Sequence, residues 1–299
     1  FLKYGVALIG PGYAGRWERG KPDGPFEGPY TRCLAEEVAI GDIFLLRTSI
    51  SQVVAIGLVA SEYLFLDQFD DVNGWDLRQG RRVRWYCLPS PYDFRTPVFG
   101  ANPPRLSRVH SEAVVQFAES NTNSPPDSWK TAELPGLPPP EPLLTEIPQD
   151  LSFAIASIQD LGAFYRDREA LGKPPSEAEI VAHCVVPFLD ALGWHRFHIA
   201  VEWNNVDVAV FDGLPRIAEN CRFVVEAKAF NEGIEGASAQ AKSYLDQLGI
   251  HRDLVVTDGF RYKMYVANDI AQPVAYANLW EPKQSALALF DRMRRQSHA

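Results

Sequence analysis

The chain has 299 residues, a formal net charge of −9 and 46% hydrophobic content, enough for two domains with cores of their own. No apolar run approaches the ~20 residues of a membrane span, and the acidic balance excludes indiscriminate coating of nucleic acid. The four cysteines, Cys33, Cys87, Cys184 and Cys221, are scattered without a Cys-x-x-Cys pair, so no structural zinc site is expected. They read as reduced residues of a cytoplasmic protein. No secretory signal is visible, although the first residue is Phe1 rather than Met.

In chain order, residues 20–30 carry Gly20, Pro22, Gly24, Pro25, Gly28 and Pro29 and read as a loop. Gly41–Arg47 reads as a turn into a strand, Val53–Val59 as a second strand and Glu62–Leu66 as a third. Gly74-Trp75-Asp76 makes a turn, and Arg81–Tyr86 alternates charge and bulk like a half-exposed strand. Short strands separated by glycine turns predict a small β-barrel over residues 1–118. Arg78, Arg81, Arg82 and Arg84 form the densest basic cluster of the chain. They fit phosphate contact or, equally, a solvated strand face paired with Asp70, Asp71 and Asp76.

The Gly-Asp turn, strand, glycine turn, strand order and the late arginine-rich strand resemble the PUA-like barrels, in particular the EVE-type branch. That resemblance implies binding of a nucleotide, in several members a modified base, in an aromatic-lined pocket. Trp17, Tyr30, Trp75 and Trp85 are the rings on offer, with Asp76 for an edge hydrogen bond. Trp17 and Trp75 are favoured because they stand in glycine-flanked, loop-like contexts. The alternative for each ring is an ordinary place in the barrel core.

Residues 119–149 break the composition: Pro125, Pro126, Pro135, Pro138, Pro139, Pro140, Pro142 and Pro148 stand among Ser, Asn and Glu, as in a semi-rigid linker. From about residue 150 a helical pattern runs through Ile155, Ile158, Leu161 and Tyr165, ended by Gly172-Lys-Pro-Pro175. Ser176 is a good N-cap for a second helix, whose Ile180, Val181, Cys184, Val185, Phe188 and Leu189 follow helical spacing. Glu177 falls on that buried face and Glu179 does not. Val206–Phe211 is an apolar run with Asp207 embedded in it, and Val224-Val225 leads into Glu226-Ala227-Lys228. Side chains two apart share a strand face, so Glu226 and Lys228 point together. Gln240 and Tyr244 share a helix face. Asp253–Thr257 and Arg261–Tyr265 read as two strands around a glycine turn, and residues 283–296 as a closing helix.

The order Asp207…Glu226-x-Lys228 resembles the PD-(D/E)xK nuclease superfamily. The Glu177 helix and the Gln240-xxx-Tyr244 pair resemble the nuclease-like domain of type I restriction motor subunits. The expected fold is an α/β nuclease core (a mixed sheet flanked by helices) over 150–299, joined by the 119–149 linker to a separate small β-barrel, PUA/EVE-like, over 1–118. The resemblance implies an Mg²⁺- or Mn²⁺-dependent endonuclease of a restriction or antiviral defence system, acting on DNA and directed to modified DNA by its first domain. Asp207 and Glu226 would hold the metal, with Glu177 completing the shell directly or through water. Lys228 would orient or activate the attacking water, Gln240 would steady the phosphate, and double-strand cleavage would call for a homodimer. Two alternatives stay open: a non-cleaving nucleic-acid or nucleotide sensor on a nuclease scaffold, and a nuclease whose barrel senses a partner.

Overall fold

The computed structural model describes residues 1–10, 15–18, 29–72, 75–100, 106–123, 129, 131–167, 171–230, 234, 242–243, 246, 249, 251–267, 269–270 and 272–296. The chain divides into two compact units, Phe1–Pro140 and Glu141–Ala299. Among the described residues no helix is long and apolar enough to cross a membrane.

The first unit is built on one antiparallel sheet of β1 (Val6–Ile9), β2 (Ile43–Arg47), β3 (Gln52–Val59), β4 (Leu64–Phe65) and β5 (Gln79–Asp93). The strand order is β1-β5-β3-β2, with β4 on β5. Strand β5 is the spine, and it outruns the Arg81–Tyr86 segment expected from alternation. Its first residues pair with β1 on one edge and β4 on the other; from Val83 onward it pairs with β3. The register with β3 shifts between Val53 and Ala55, whose partners are Tyr92 and Cys87, so residues 88–91 stand outside the pairing. Pro89 and Pro91, which lack an amide donor, fall in that irregularity, where a ladder loses nothing by them. Strands β1 and β2 do not pair among the described residues, so the sheet is an open, curled half-barrel rather than a closed one.

Helix α1 (Glu112–Asn123) follows the sheet. The proline-rich stretch is then shared between the two units. Trp129 is buried and donates its indole N–H to the Arg84 carbonyl at 2.9 Å, while Leu144 donates its amide to Pro282 at 2.8 Å inside the second unit.

The second unit has a six-stranded sheet in the order β11-β10-β9-β8-β7-β6. Its strands are β6 (Ile199–Trp203), β7 (Val206–Phe211), β8 (Cys221–Ala227), β9 (Asp253–Thr257), β10 (Arg261–Tyr265) and β11 (Ala275–Asn278). Among the described strands, β8 and β9 form the parallel pair. Strands β6 and β7 meet at Asn204-Asn205, both with positive φ (49° and 68°), the conformation tight hairpins need and Asn tolerates. Gly259 turns β9 into β10 with φ +89°, and a Cβ there would meet Cys184 at 3.0 Å.

Three helices cover one face. These are α2 (Gln149–Arg166), α3 and α4 (Ala286–Met293); α3 runs through Glu177–Ile180, a π-turn at Val181–Val185, and Val186–Ala191. Helix α2 stops at Arg166, before the Gly172-Lys-Pro-Pro175 breaker. Ile155 and Ile158 of α2, Phe188 of α3 and Phe290 of α4 bury against Val208, Phe223, Val225 and Tyr262 of the sheet. Each such side chain contributes about 1.5–3 kcal/mol of transfer free energy. A Cβ at Gly162 would stand 2.3 Å from Trp280 and 2.4 Å from Phe260, so a bare backbone is what lets α2 approach that aromatic pair. The opposite sheet face has a smaller core of Ala209, Phe211, Val224, Leu254, Val256 and Tyr265.

Candidate active site

Local constraints gather charged groups at the end of β8. The Ser176 hydroxyl accepts the Glu179 amide at 3.3 Å, and the Glu179 carboxylate accepts the Ser176 amide at 2.8 Å, a reciprocal cap on α3. Glu179 is thereby engaged in holding the helix start, and Glu177 is left to face the strand ends. Asp207 Oδ2 accepts the Ala227 amide at 2.7 Å, tying the β7 carboxylate to the strand that carries Glu226. The Lys228 amide donates to the Thr257 carbonyl at 2.8 Å, one residue past the end of β8.

These constraints deliver the Lys228 ammonium between two carboxylates. Lys228 Nζ lies 3.1 Å from Glu226 Oε1 and 3.3 Å from Glu177 Oε1. Side-chain exposure rises outward, from 4% at Glu226 to 13% at Lys228 and 45% at Glu177. The cluster therefore opens to solvent on the Glu177 side.

The electrostatics follow from that crowding. Burial holds the Asp207 carboxyl above its ordinary pKa, and the negative charges of Glu177 and Glu202 add to the rise against the Ala227 hydrogen bond and Lys228. Burial also raises Glu226, helped by Asp207 and Glu177 and opposed by Lys228. For Lys228 burial acts downward, but the carboxylates of Glu226 and Glu177 outweigh it and the pKa ends above its ordinary value. Two neighbouring carboxylates that each resist ionisation call for positive charge.

Mg²⁺ and Mn²⁺ prefer hard oxygen donors, and Mg²⁺ is commonly held by one or two carboxylates with waters completing the shell. Asp207 and Glu226 fit as such a pair. Among the described residues no group of three His, Cys, Asp or Glu side chains is arranged to hold a metal ion. Glu177 meets the cluster at Lys228, whose Nζ lies 3.3 Å from its Oε1. Gln240 and Tyr244 lie outside the described residues.

The residues singled out in the first unit have the following partners. The Trp17 indole donates to Glu36 Oε1 at 3.3 Å and its amide to the Tyr63 hydroxyl at 3.0 Å. Tyr30 is half-buried in the helical turn Pro29–Arg32. Trp75 forms a backbone bridge with Val72. Asp76 accepts two hydrogen bonds, of 2.9 and 2.8 Å, from Arg78.

Arg81 corrects the phosphate reading outright. It is fully buried, and its guanidinium donates to the carbonyls of Leu34 (2.7 Å), Ser61 (3.0 Å) and Ala35 (3.1 Å). A side chain with no surface cannot reach DNA. Arg82 donates to Gly5, Tyr4 and Pro135 carbonyls, and Arg84 to Ala132 at 3.0 Å. The arginine cluster thus largely fastens the chain to its own sheet.

A cavity of about 540 Å³ in this unit is lined by Trp85, Phe44, Phe99, Arg47 and His110 among others. Of the four candidate rings only Trp85 lines it, fixed by an indole hydrogen bond to the Val6 carbonyl at 2.9 Å. The signal for Trp85 was its place on an alternating strand, which the loop-context preference passed over. Compared with family models, curated proteins and solved structures, the chain has no match.

Proposed function

We propose that the chain is a metal-dependent endonuclease that hydrolyses DNA phosphodiester bonds, with Asp207, Glu226 and Lys228 as its reacting centre. The observation that carries this reading is the Lys228 ammonium bound to Glu226 beside Asp207, at the solvent-facing end of a buried sheet. Asp207 and Glu226 would hold a divalent ion, which would supply Lewis-acid polarisation of the phosphate and activation of water. Asp207 is held in place by the Ala227 amide and Glu226 by Lys228, so both acceptors are oriented before any ligand arrives.

Lys228, whose pKa lies above its ordinary value, acts as a hydrogen-bond donor rather than as a base. Its Nζ offsets negative charge developing on the phosphoryl oxygens and orients the attacking water. Glu177, the most exposed member, accepts from the same Nζ and sets its direction. The half-barrel with its cavity serves in this reading to engage the substrate, including modified DNA, and a homodimer would pair two centres for double-strand cleavage in a restriction or defence setting.

Cleavage of plain and modified duplex DNA with Mg²⁺, Mn²⁺ or EDTA tests the proposal. Divalent-dependent nicking lost in Glu226→Gln supports it; absence of cleavage on every substrate favours a non-cleaving nucleic-acid sensor on the same scaffold.

A further inference from the structure

The main chain that carries Lys228 is pinned again two residues further on. Strand β8 ends at Ala227, and the Lys228 amide donates to the Thr257 carbonyl at 2.8 Å. Phe230 then packs against the helix-side core, half-buried, with its ring centroid 5.6 Å from Tyr165 and 5.2 Å from Phe260. The ring planes stand at 60° and 69°, the tilted and edge-on arrangements that aromatic pairs favour.

Both partners are buried. Tyr165 belongs to α2, and Phe260 follows the Gly259 turn between β9 and β10. Phe260 also stacks on Trp280 at 4.7 Å and 14°, where Gly162 lets α2 come close. Phe230 thus ties the exit from β8 to a helix and to a turn that carry none of the three carboxylates. Two residues of chain span at most about 7 Å, so the Lys228 main chain is set by the Thr257 carbonyl on one side and this aromatic seat on the other. That placement decides where the flexible lysine stem starts. It decides in turn whether Nζ stays 3.1 Å from Glu226 and 3.3 Å from Glu177.

We propose that Phe230 is a positioning residue of this centre: its ring, seated on Tyr165 and Phe260, sets the direction of the Lys228 ammonium. The proposal rests on the nuclease reading for its effect on cleavage. Phe230 acts on the main chain and not on the substrate, so a smaller side chain loosens the start of the lysine without removing its charge. A reacting group misplaced by about 1 Å costs up to about 100-fold in rate, and a partial loosening is expected to cost roughly tenfold in kcat with KM little changed.

The test compares DNA cleavage at saturating Mg²⁺ by the full chain as wild type, Phe230→Leu, Phe230→Tyr, Lys228→Ala and the Phe230→Leu/Lys228→Ala double variant. Phe230→Leu is expected to lose about tenfold in kcat, Phe230→Tyr less than about twofold, and the double variant no more than about twofold beyond Lys228→Ala. Equal losses from Phe230→Leu with and without Lys228 overturn the proposal, because the ring is then packing alone. A second readout needs neither metal nor cleavage. It is the rate at which acetic anhydride acylates Lys228, read by mass spectrometry against the exposed Lys173. Lys228 is 13% exposed and shielded between two carboxylates, so Phe230→Leu is expected to raise that ratio by about threefold or more. An unchanged ratio in the folded variant overturns the proposal. Should Phe230→Leu fail to fold, Phe230→Met replaces it, and a chain that folds with neither overturns the proposal. Wild type that cleaves no DNA overturns the nuclease reading, and the labelling ratio then decides the role of Phe230 by itself.

Discussion

The Asp207 carboxylate and the Ala227 amide are joined at 2.7 Å, twenty positions apart in sequence. This bond places the acid of β7 against the backbone between Glu226 and Lys228, so the three charged groups are set by main-chain geometry and not by chance contact of long side chains. An amide donor also favours the ionised form of Asp207, against the burial that opposes it. The cluster is therefore built so that the charge it lacks is positive.

Removing the one ammonium of the cluster, at Lys228, gives the first expectation. Lys228→Ala deletes a donor 3.1 Å from Glu226 without touching the apolar strand, so the fold should persist. Cleavage at saturating Mg²⁺ should fall by roughly 100-fold or more, in the range for loss of one preorganised donor to a developing anion. DNA affinity should change little. Initial rates and a binding titration on the same preparation check both; wild-type rates in the variant would remove Lys228 from the chemistry.

The second expectation concerns pH. Burial raises Asp207 and Glu226 in the folded chain, so between their unfolded values near 4 and their higher folded values the native state holds more protons than the unfolded one. Their contribution to stability is then lost as pH rises through that window, the reverse of a salt-bridged carboxylate. Glu226→Gln removes part of this penalty. Its metal-free Tm should match wild type near pH 4 and exceed it at pH 7, while added Mg²⁺ should raise Tm in wild type and not in the variant. Thermal melts at the two pH values, with and without Mg²⁺, decide it.

How far the sequence spoke depends on the range of the interaction. The β7–β8 carboxylates and Lys228 were legible because strand periodicity and a two-residue spacing fix which side chains share a face. Ser176 and Glu177 were legible because a cap sets helix phase within four residues. Strand β11 was not, since Ala275–Asn278 carries no marked alternation and exists by pairing with β10. Arg81 was misread for a related reason: a charged residue in a half-polar strand looks solvated until the carbonyls of Leu34 and Ser61, distant in sequence, close around it.

The two glutamates at the start of α3 should separate cleanly. Glu177 binds Lys228, while Glu179 binds the Ser176 amide and hydroxyl. Glu177→Gln should lower the cleavage rate with little change in Tm. Glu179→Gln and Ser176→Ala should do the opposite, the latter costing about 1 kcal/mol as a lost cap. Rates and melts of the three variants side by side provide the check, and a reversed pattern would place the wrong glutamate at the site.

The last expectation distinguishes a clamp from a contact. Arg81 satisfies three backbone carbonyls from a fully buried position, so Arg81→Met strands the buried Leu34 carbonyl and leaves the half-buried Ser61 and Ala35 carbonyls short of a donor. A buried acceptor left unpaired costs about 1–3 kcal/mol, a large share of the stability of a marginal domain. Arg84 is half-buried and gives one hydrogen bond, to Ala132, so Arg84→Ala should leave the unit folded. If Arg84 also meets phosphate, its loss should weaken all DNA equally and reduce the slope of log affinity against log salt by about one. Denaturant melts followed by DNA titration at two salt concentrations separate these outcomes. A folded Arg81→Met protein with a reduced salt slope would return Arg81 to the DNA-binding surface and contradict its role as an internal clamp.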